Sequence, residues 1–402
     1  MTKRIRQGTV TAVAVLLAAT ACGGQQTPAP GEAGQPASSG QAGRGAGGVA
    51  VERARAFTLV ASGDILPHSS VIDRAAADAK RLGYDFGPML KGAAPLVSGA
   101  DLAICHMETV YGEDGGPYSG YPYFKSPPEV AQGLRATGFD SCSTASNHTL
   151  DDGVGGIRRT LDALDKEGIA HAGSARSAAE AARPTLLKAG PGEHAARVAH
   201  LAYTYGTNDV PLPEGRPWAV NLIDEQRIVD DARAARRAGA DVVAVSLHWG
   251  TEWQDEPDDK QLALGRALTA ATSGGRPDID LILGTHAHVP QAYEKVNGTW
   301  IIYGMGDQIA GAMINYEGAQ DPRGNQSSMG RFTFAPPAAP GERWTVTKAE
   351  FVPQWYDTAT GRIVSLNAAI DEGAGHHRAV RDRIRDVVLG RGAAADGLLM
   401  GK

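Results

Sequence analysis

The residues best equipped for chemistry stand at the end of one apolar run, Leu281-Ile282-Leu283-Gly284-Thr285-His286-Ala287-His288-Val289-Pro290. Branched apolar residues in so short a run read as a buried strand, and Gly284 lets the chain turn at its end. In extended backbone alternate residues share a side, so His286 and His288 are expected to point the same way. Neutral imidazole is the commonest nitrogen ligand for zinc, iron, manganese and similar ions. Taken alone, two histidines fit a plain surface turn equally well. The other strand ends must discriminate.

From Phe57 onward, strand and helix patterns alternate. Strands are expected over 57–62, 101–105, 139–146, 197–205, 241–247, 280–283 and 300–303, with helices over 71–82, 129–137, 155–167, 224–238 and 261–272 between them. This alternation predicts an α/β layered fold with largely parallel strands. Two later runs, 331–336 and 344–352, read as an antiparallel pair. Residues 373–402 read as a charged helix followed by a Gly/Ala tail of doubtful order. No linker-like composition interrupts residues 56–360, which are expected to form one domain, with 361–402 as a C-terminal helix and tail.

Polar residues fall just after these strands: Asp64, Glu108, Asn147, His248 and the His286/His288 pair. In α/β sheets, ligands collect at the carboxyl ends of strands. Carboxylate oxygen, amide oxygen and imidazole nitrogen together make a donor set for two divalent ions. A carboxylate such as Glu108 can bridge ions about 3.5–4 Å apart, the spacing of hydrolytic two-metal sites. Singly, each residue has a plainer reading. Asp64 suits a turn after Gly63, Glu108 a solvated strand end, Asn147-His148 a helix cap, and His248 a packed histidine beside Trp249. All five falling at strand ends together favours a shared cleft. Trp249, Trp253 and the loop tyrosines Tyr118, Tyr121 and Tyr123 suit its walls or ordinary packing equally.

The N-terminus reads as a targeting segment. Lys3, Arg4 and Arg6 precede the apolar stretch 9–20, which is too short to span a bilayer. Ala19-Thr20-Ala21-Cys22 resembles a bacterial lipobox, with Ala19 where Leu is usual. Residues 1–21 are therefore expected to be a lipoprotein signal peptide and Cys22 the lipidated residue, placing the protein on the extracytoplasmic face of the cell membrane. Residues 22–55, rich in Gly, Gln, Pro, Ala and Ser, read as a disordered tether. The net charge is -6, and removing Lys3, Arg4 and Arg6 with the signal takes it to -9. No basic stripe suggests nucleic-acid binding. Cys105 and Cys142 lie in apolar strand-like runs and read better as small buried hydrophobes; a bridge between them is the alternative, at the cost of straining adjacent parallel strands.

Taken in order, the motifs resemble one family. They are Ser62-Gly63-Asp64-Ile65-Leu66-Pro67-His68, Ala100-Asp101-Leu102 with Met107-Glu108, Phe124-Lys125-Ser126-Pro127-Pro128-Glu129, and Gly138-Phe139-Asp140. Ser146-Asn147-His148 with Asp152-Gly153, and 203–208 (Tyr-Thr-Tyr-Gly-Thr-Asn), follow. Then come His248-Trp249-Gly250-Thr251-Glu252-Trp253, Gly284-Thr285-His286-Ala287-His288-Val289 and Tyr303-Gly304-Met305-Gly306-Asp307. Over roughly residues 57–310 the chain resembles the CapA family of poly-gamma-glutamate capsule synthesis proteins, within the calcineurin-like metallophosphoesterase superfamily.

The resemblance implies a two-sheet sandwich flanked by helices and two divalent ions of the Mn, Fe or Zn kind. It implies that Asp64 and His288 bind one ion, that Glu108 bridges, and that Asn147, His248 and His286 bind the other. His148 matches the histidine that contacts the phosphate and protonates the leaving oxygen. The superfamily's Asp-x-His first motif is broken, because Leu66 stands where the histidine belongs; His68 is the nearest substitute. Glu108 replaces the usual bridging Asp, His106 the family's usual Asn, and Asp307 the usual Asn of the last motif. The expected function is metal-dependent hydrolysis linked to capsule or poly-gamma-glutamate synthesis. The alternatives are a non-enzymatic component of a synthesis or export assembly, and an amidase acting on the polymer. The expected partners are an anionic polymer or phosphoester substrate, the membrane through the lipid anchor, and membrane synthase or export proteins.

Overall fold

The computed structural model describes residues 54–192, 194–339 and 341–402. The signal peptide, Cys22 and nearly all of the tether lie outside the described residues. No helix among the described residues is long and apolar enough to cross a membrane.

Two sheets face each other. The strands in chain order are β1 (Phe57–Ile65), β2 (Leu102–Met107), β3 (Ser141–Ser143), β4 (Ala170–Ala172), β5 (Thr185–Ala189), β6 (Ala196–Thr204) and β7 (Val242–His248). They continue with the short hairpin β8 (Thr272–Ser273) and β9 (Arg276–Pro277), then β10 (Leu281–Thr285), β11 (Tyr293–Val296), β12 (Thr299–Ile302) and β13 (Asp307–Ile309). The last are β14 (Gln326–Ala335), β15 (Thr345–Asp357), β16 (Arg362–Ser365) and β17 (Leu398–Met400). The first sheet runs β16-β15-β14-β1-β2-β3-β4, with β13 beside the end of β1 and β17 beside β15. The second runs β11-β12-β10-β7-β6-β5. In each, parallel central strands carry antiparallel strands at an edge.

Strand periodicity explains the layers. Leu59, Ala61, Leu102 and Ile104 of the first sheet meet Val198, Val242, Ala244, Leu281 and Leu283 of the second in one apolar core. The alternate residues Val60, Ala103 and Cys105 face outward onto the helices Ser69–Asp78 and Glu129–Thr137. On the other side Val243, Val245 and Leu247 face Ile228, Ala232 and Leu268 of the helices Glu225–Arg237 and Asp259–Ala270. Both strand faces are covered, which is why these strands read as continuous apolar runs. The second of these helices starts at Asp258, whose carboxylate accepts the Gln261 amide while the Gln261 side chain accepts from the Asp258 amide. The expected two-sheet α/β sandwich flanked by helices is the fold found.

Three expectations change. The strand expected over 139–146 is confined to Ser141–Ser143, and Ser146 onward turns. Residues 361–402 are no separate tail: β16 and β17 extend the first sheet, and Arg383 of the helix Arg378–Val388 pairs with Asp255 at 2.7 Å. A short Leu-Leu-Met strand is too brief to show as a period. Finally, Cys105 and Cys142 are disulfide-bonded. The parallel register of β2 and β3 sets them opposite each other with Cα atoms 4.5 Å apart, within bridging range.

Candidate metal centre

The carboxyl ends of β1, β2, β3, β7 and β10 converge, and each delivers a polar side chain. Asp64 is the penultimate residue of β1, Glu108 follows β2, Asn147 and His148 lie in the turn after β3, His248 ends β7, and His286 and His288 follow β10. All are buried. Two glycines make this convergence possible. A Cβ on Gly63 would lie 1.8 Å from the Gly306 carbonyl oxygen, and one on Gly284 would lie 2.0 Å from that of Tyr303. Backbone hydrogen bonds from Asp64 to Gly306 (3.1 Å) and from Met305 to Gly284 (3.0 Å) seat the 304–307 segment between β1 and β10. Asp307 is thereby aligned with Asp64.

His286 and His288 do not follow the extended geometry expected of them. Both have left-handed backbones, with φ of 91° and 57°. Non-glycine residues adopt this region at a cost, and such strain gathers at functional sites. The His286 amide donates to Asp64 Oδ2 at 3.1 Å, which ties the turn to β1. The two rings converge by this turn, their centroids 6.0 Å apart.

Hydrogen bonds orient several rings. His248 Nδ1 lies 3.0 Å from Thr285 Oγ1, so its Nε2 faces Asn147 Oδ1 at 2.9 Å and Glu108 Oε1 at 3.8 Å. His288 Nδ1 lies 2.9 Å from Asp307 Oδ1, a carboxylate–histidine pair of the kind that backs metal ligands. His148 Nδ1 lies 2.7 Å from Asp151 Oδ2, which also accepts the Phe124 amide; Nε2 is left as the nitrogen free to act. Trp253 lies against His288, and Tyr205 against His286 with a centroid separation of 4.5 Å. Trp249 belongs to the core, its Nε1 donating to the Tyr303 carbonyl.

The test of fit for a metal is the state of the buried polar atoms. Among the described residues, Asp64 Oδ1, both Glu108 carboxylate oxygens, His106 Nε2, His286 Nδ1 and Asp307 Oδ2 are buried without a hydrogen-bond partner. Native proteins pair almost all such atoms, so a concentration of unpaired donors and acceptors in one place calls for a ligand. Ligand atoms of Asp64, Glu108 and His288 lie within 4.8 Å of one another, as do those of Asp64, His106 and His248, and those of Glu252, His286 and His288. Asp64 and His288 are shared between groups, so the donors form one continuous array. These residues fit divalent cations.

Electrostatics agree. Burial, then the Asp307 charge, raises the Asp64 carboxyl well above its ordinary value. Burial and the Asp64 charge do the same to Glu108. Burial, with neighbouring histidines, holds His248 and His286 well below the usual imidazole range. His288 goes the other way: burial pulls it down, but the Asp307, Glu108 and Glu252 carboxylates outweigh that and raise it well above. Carboxyls pushed up at Asp64 and Glu108, beside His248 and His286 pushed down and His288 pushed up, mark strongly perturbed groups gathered at one site.

The structure brings together Asp64, Glu108, Asn147, His248, His286 and His288, with His148 beside them. His68 joins none of the three groups. It sits at the start of the helix Ser69–Asp78, edge-on to Phe124, with Nδ1 3.1 Å from the Leu66 carbonyl and 3.2 Å from the Gly311 amide nitrogen. A backbone partner engages that nitrogen in either tautomer. Residues not assigned as site residues from sequence are His106, Asp151, Glu252 and Asp307. His106 and Asp307 had shown themselves as departures from the family pattern, and Glu252 lay inside the His248–Trp253 motif. Asp151 left only its spacing of three from His148.

Fold and site thus define a two-sheet α/β sandwich with a candidate metal centre at its strand ends. The family model for the bacterial capsule synthesis protein PGA_cap matches residues 58–312, and the chain belongs to that family. Relatives include the PGA biosynthesis protein CapA of Bacillus subtilis (strain 168), 28% identical over 187 residues, which are 46% of this chain and 47% of the relative. The capsule biosynthesis protein CapA of Bacillus anthracis is 23% identical over 191 residues, 46% of this chain and 44% of the relative. The chain spans about half the length of these relatives. Similar solved structures include the calcineurin-like phosphoesterase YfkN from Bacillus subtilis, 14% identical with a TM-score of 0.43, covering 83% of this chain and 99% of that one. A 5'-nucleotidase precursor from Thermus thermophilus is 15% identical with a TM-score of 0.43, covering 81% of this chain and 59% of that one.

Proposed function

We propose that this protein is a metal-dependent hydrolase of the phosphoesterase type, acting in the synthesis of a capsule or poly-gamma-glutamate polymer. In this reading it works outside the cell membrane, tethered through Cys22. The observation that carries the reading is the array of buried, unpartnered ligand atoms on Asp64, Glu108, His106 and His286. Asp64, Glu108, Asn147, His248, His286 and His288 would hold two divalent ions, which would supply Lewis-acid polarisation of a phosphoryl oxygen and acidify water.

The chain's own groups do the rest. His148, held through Nδ1 by Asp151, presents Nε2 to hand a proton to the leaving oxygen. The Asp151–His148 pair keeps that ring in one orientation, and Phe124 packs edge-on against it at 4.7 Å. Tyr205 packs against His286 and Trp253 against His288, so aromatic rings flank both histidines. The donors stand at or just after strand ends, which fixes their backbone positions.

The test is metal content and turnover of the purified chain after stripping and reconstitution. Two bound equivalents, with hydrolysis of bis(p-nitrophenyl) phosphate lost in His286→Ala, support the proposal. Cleavage of poly-gamma-glutamate but not of the phosphodiester would make it an amidase. Two equivalents with neither activity would favour a metal-stabilised component of an export assembly. No metal after reconstitution would overturn both hydrolytic readings.

A further inference from the structure

The array holds one imidazole that the expected ligand set omits. His106 is the next-to-last residue of β2 and is buried beside Asp64 and His248. Its Nδ1 lies 2.7 Å from Ser143 Oγ, across a parallel register that sets His106 opposite Ser143. Ser143 Oγ donates to the Cys105 carbonyl at 3.4 Å. In the Nδ1–H tautomer His106 donates to Ser143 Oγ, and that tautomer leaves Nε2 with a bare lone pair. That Nε2 is buried, has no hydrogen-bond partner, and lies 4.0 Å from the equally unpartnered Asp64 Oδ1. Two atoms bound to one zinc-like ion, at about 2.0–2.2 Å each, stand no more than about 4.3 Å apart. The His106 ring stacks on His248 at 4.7 Å, and ligand atoms of Asp64, His106 and His248 lie within 4.8 Å of one another.

A packed structural histidine is the competing explanation, and the molecule supplies its own control. His200 is as deeply buried, yet both of its nitrogens are bonded, to Ser141 Oγ at 2.9 Å and Ser246 Oγ at 3.0 Å. His106 has one nitrogen anchored and the other aimed at a carboxylate oxygen that also lacks a partner. This is the pattern of a metal-ligating histidine with its outer hydrogen bond in place.

We propose that His106 is a metal ligand of this chain, supplying through Nε2 the imidazole nitrogen that Leu66 cannot supply in the first motif. Ser143 is then a positioning residue that fixes the tautomer. The inference rests on the metal-centre reading above and adds one donor to it.

Zinc titration decides, using competition against a chromogenic chelator and metal analysis of the dialysed chain, with folding followed by circular dichroism. His106→Ala and His106→Gln are expected to lose one zinc equivalent or to bind it at least 10-fold more weakly, with the fold retained. Ser143→Ala is expected to weaken the same equivalent by about 10-fold, the usual cost of an outer-shell partner. His106 variants that bind zinc like the wild type would overturn the assignment while leaving the metal centre standing. A wild-type chain that takes up no zinc would remove the centre and this ligand together. Should neither His106 variant fold, the Ser143→Ala titration decides, and unchanged zinc affinity there overturns the proposal.

Discussion

Two buried polar regions of this protein make a natural pair. Between the sheets, His200 of β6 joins Ser141 of β3 to Ser246 of β7, and every nitrogen is bonded. At the strand ends, His106, His286, Asp64 and Glu108 are buried just as deeply and keep atoms with no partner. Burial alone therefore says little about function. Satisfaction says more: a paired buried group stabilises the fold, whereas an unpaired one costs stability until something binds it. The same histidine chemistry serves as a strut in one place and as a candidate metal donor in the other.

The strongest way to break this comparison is to neutralise the strand-end carboxylate that has both oxygens unpaired. Glu108→Gln should abolish binding of at least one metal equivalent and lower turnover by about three orders of magnitude, on the scale of losing a preorganised charge clamp. The metal-free variant should at the same time be more stable than the metal-free wild type, by about 1–3 kcal/mol. The sign follows from burial and the Asp64 charge, which raise the Glu108 carboxyl well above its ordinary value. A folded-state value above the unfolded one means that stability falls as pH rises between the two, a penalty that neutral glutamine escapes. Urea melts in chelator would check it, and a less stable variant would sink the idea.

His148→Ala should separate proton transfer from metal binding. Turnover is expected to drop about 10²–10⁴-fold with metal content unchanged. A variant that loses metal in parallel with activity would place His148 among the ligands instead. Chelation of the wild type should come next in size. Free ion at about 100 times its dissociation constant stabilises by about 2.7 kcal/mol, so removing it should lower the melting midpoint, and Glu108→Gln should show a smaller drop.

The interior strut gives the smallest effects and the complementary sign. His200→Leu leaves the Ser141 and Ser246 hydroxyls unpaired and should cost about 1–3 kcal/mol without altering metal content. Burial lowers the His200 imidazole to about 3. A folded value below the unfolded one means that stability is fully present above the ordinary imidazole range and is lost as pH falls through it. Between about pH 5.5 and 4.5, His200→Leu should flatten the fall in unfolding free energy by about 1.3 kcal/mol per pH unit. Parallel slopes in the two proteins would contradict a buried neutral His200.

Much of this was legible in the chain. The apolar runs of β1, β2, β7 and β10 announce strands covered on both faces, and the residue after each run announces the site. Asn147 and His148 lie in the turn after β3, although the strand expected there is longer by several residues than the one found. For His68 the question is one of direction. Nearness in sequence to Asp64 does not decide where a ring points, and the helix starting at Ser69 turns it toward Gly311. His106 was visible only as a departure, since its worth depends on Ser143, 37 residues away. The terminal strand β17 and the Cys105–Cys142 bond depend on register and were not legible.

By itself, the sequence determined the layered α/β architecture, the family, and which residue types stand at strand ends. Periods of two and of 3.6 residues, and the polar residue that must follow a buried strand, are local properties. Tertiary structure alone decided which of those donors meet, which of their atoms stay unpaired, and that His106 rather than His68 faces Asp64. Those outcomes depend on register between strands distant in the chain and on backbone turned left-handed at His286 and His288. Only the closed fold sets such distances, because each is the sum of many packing contacts that no short stretch contains.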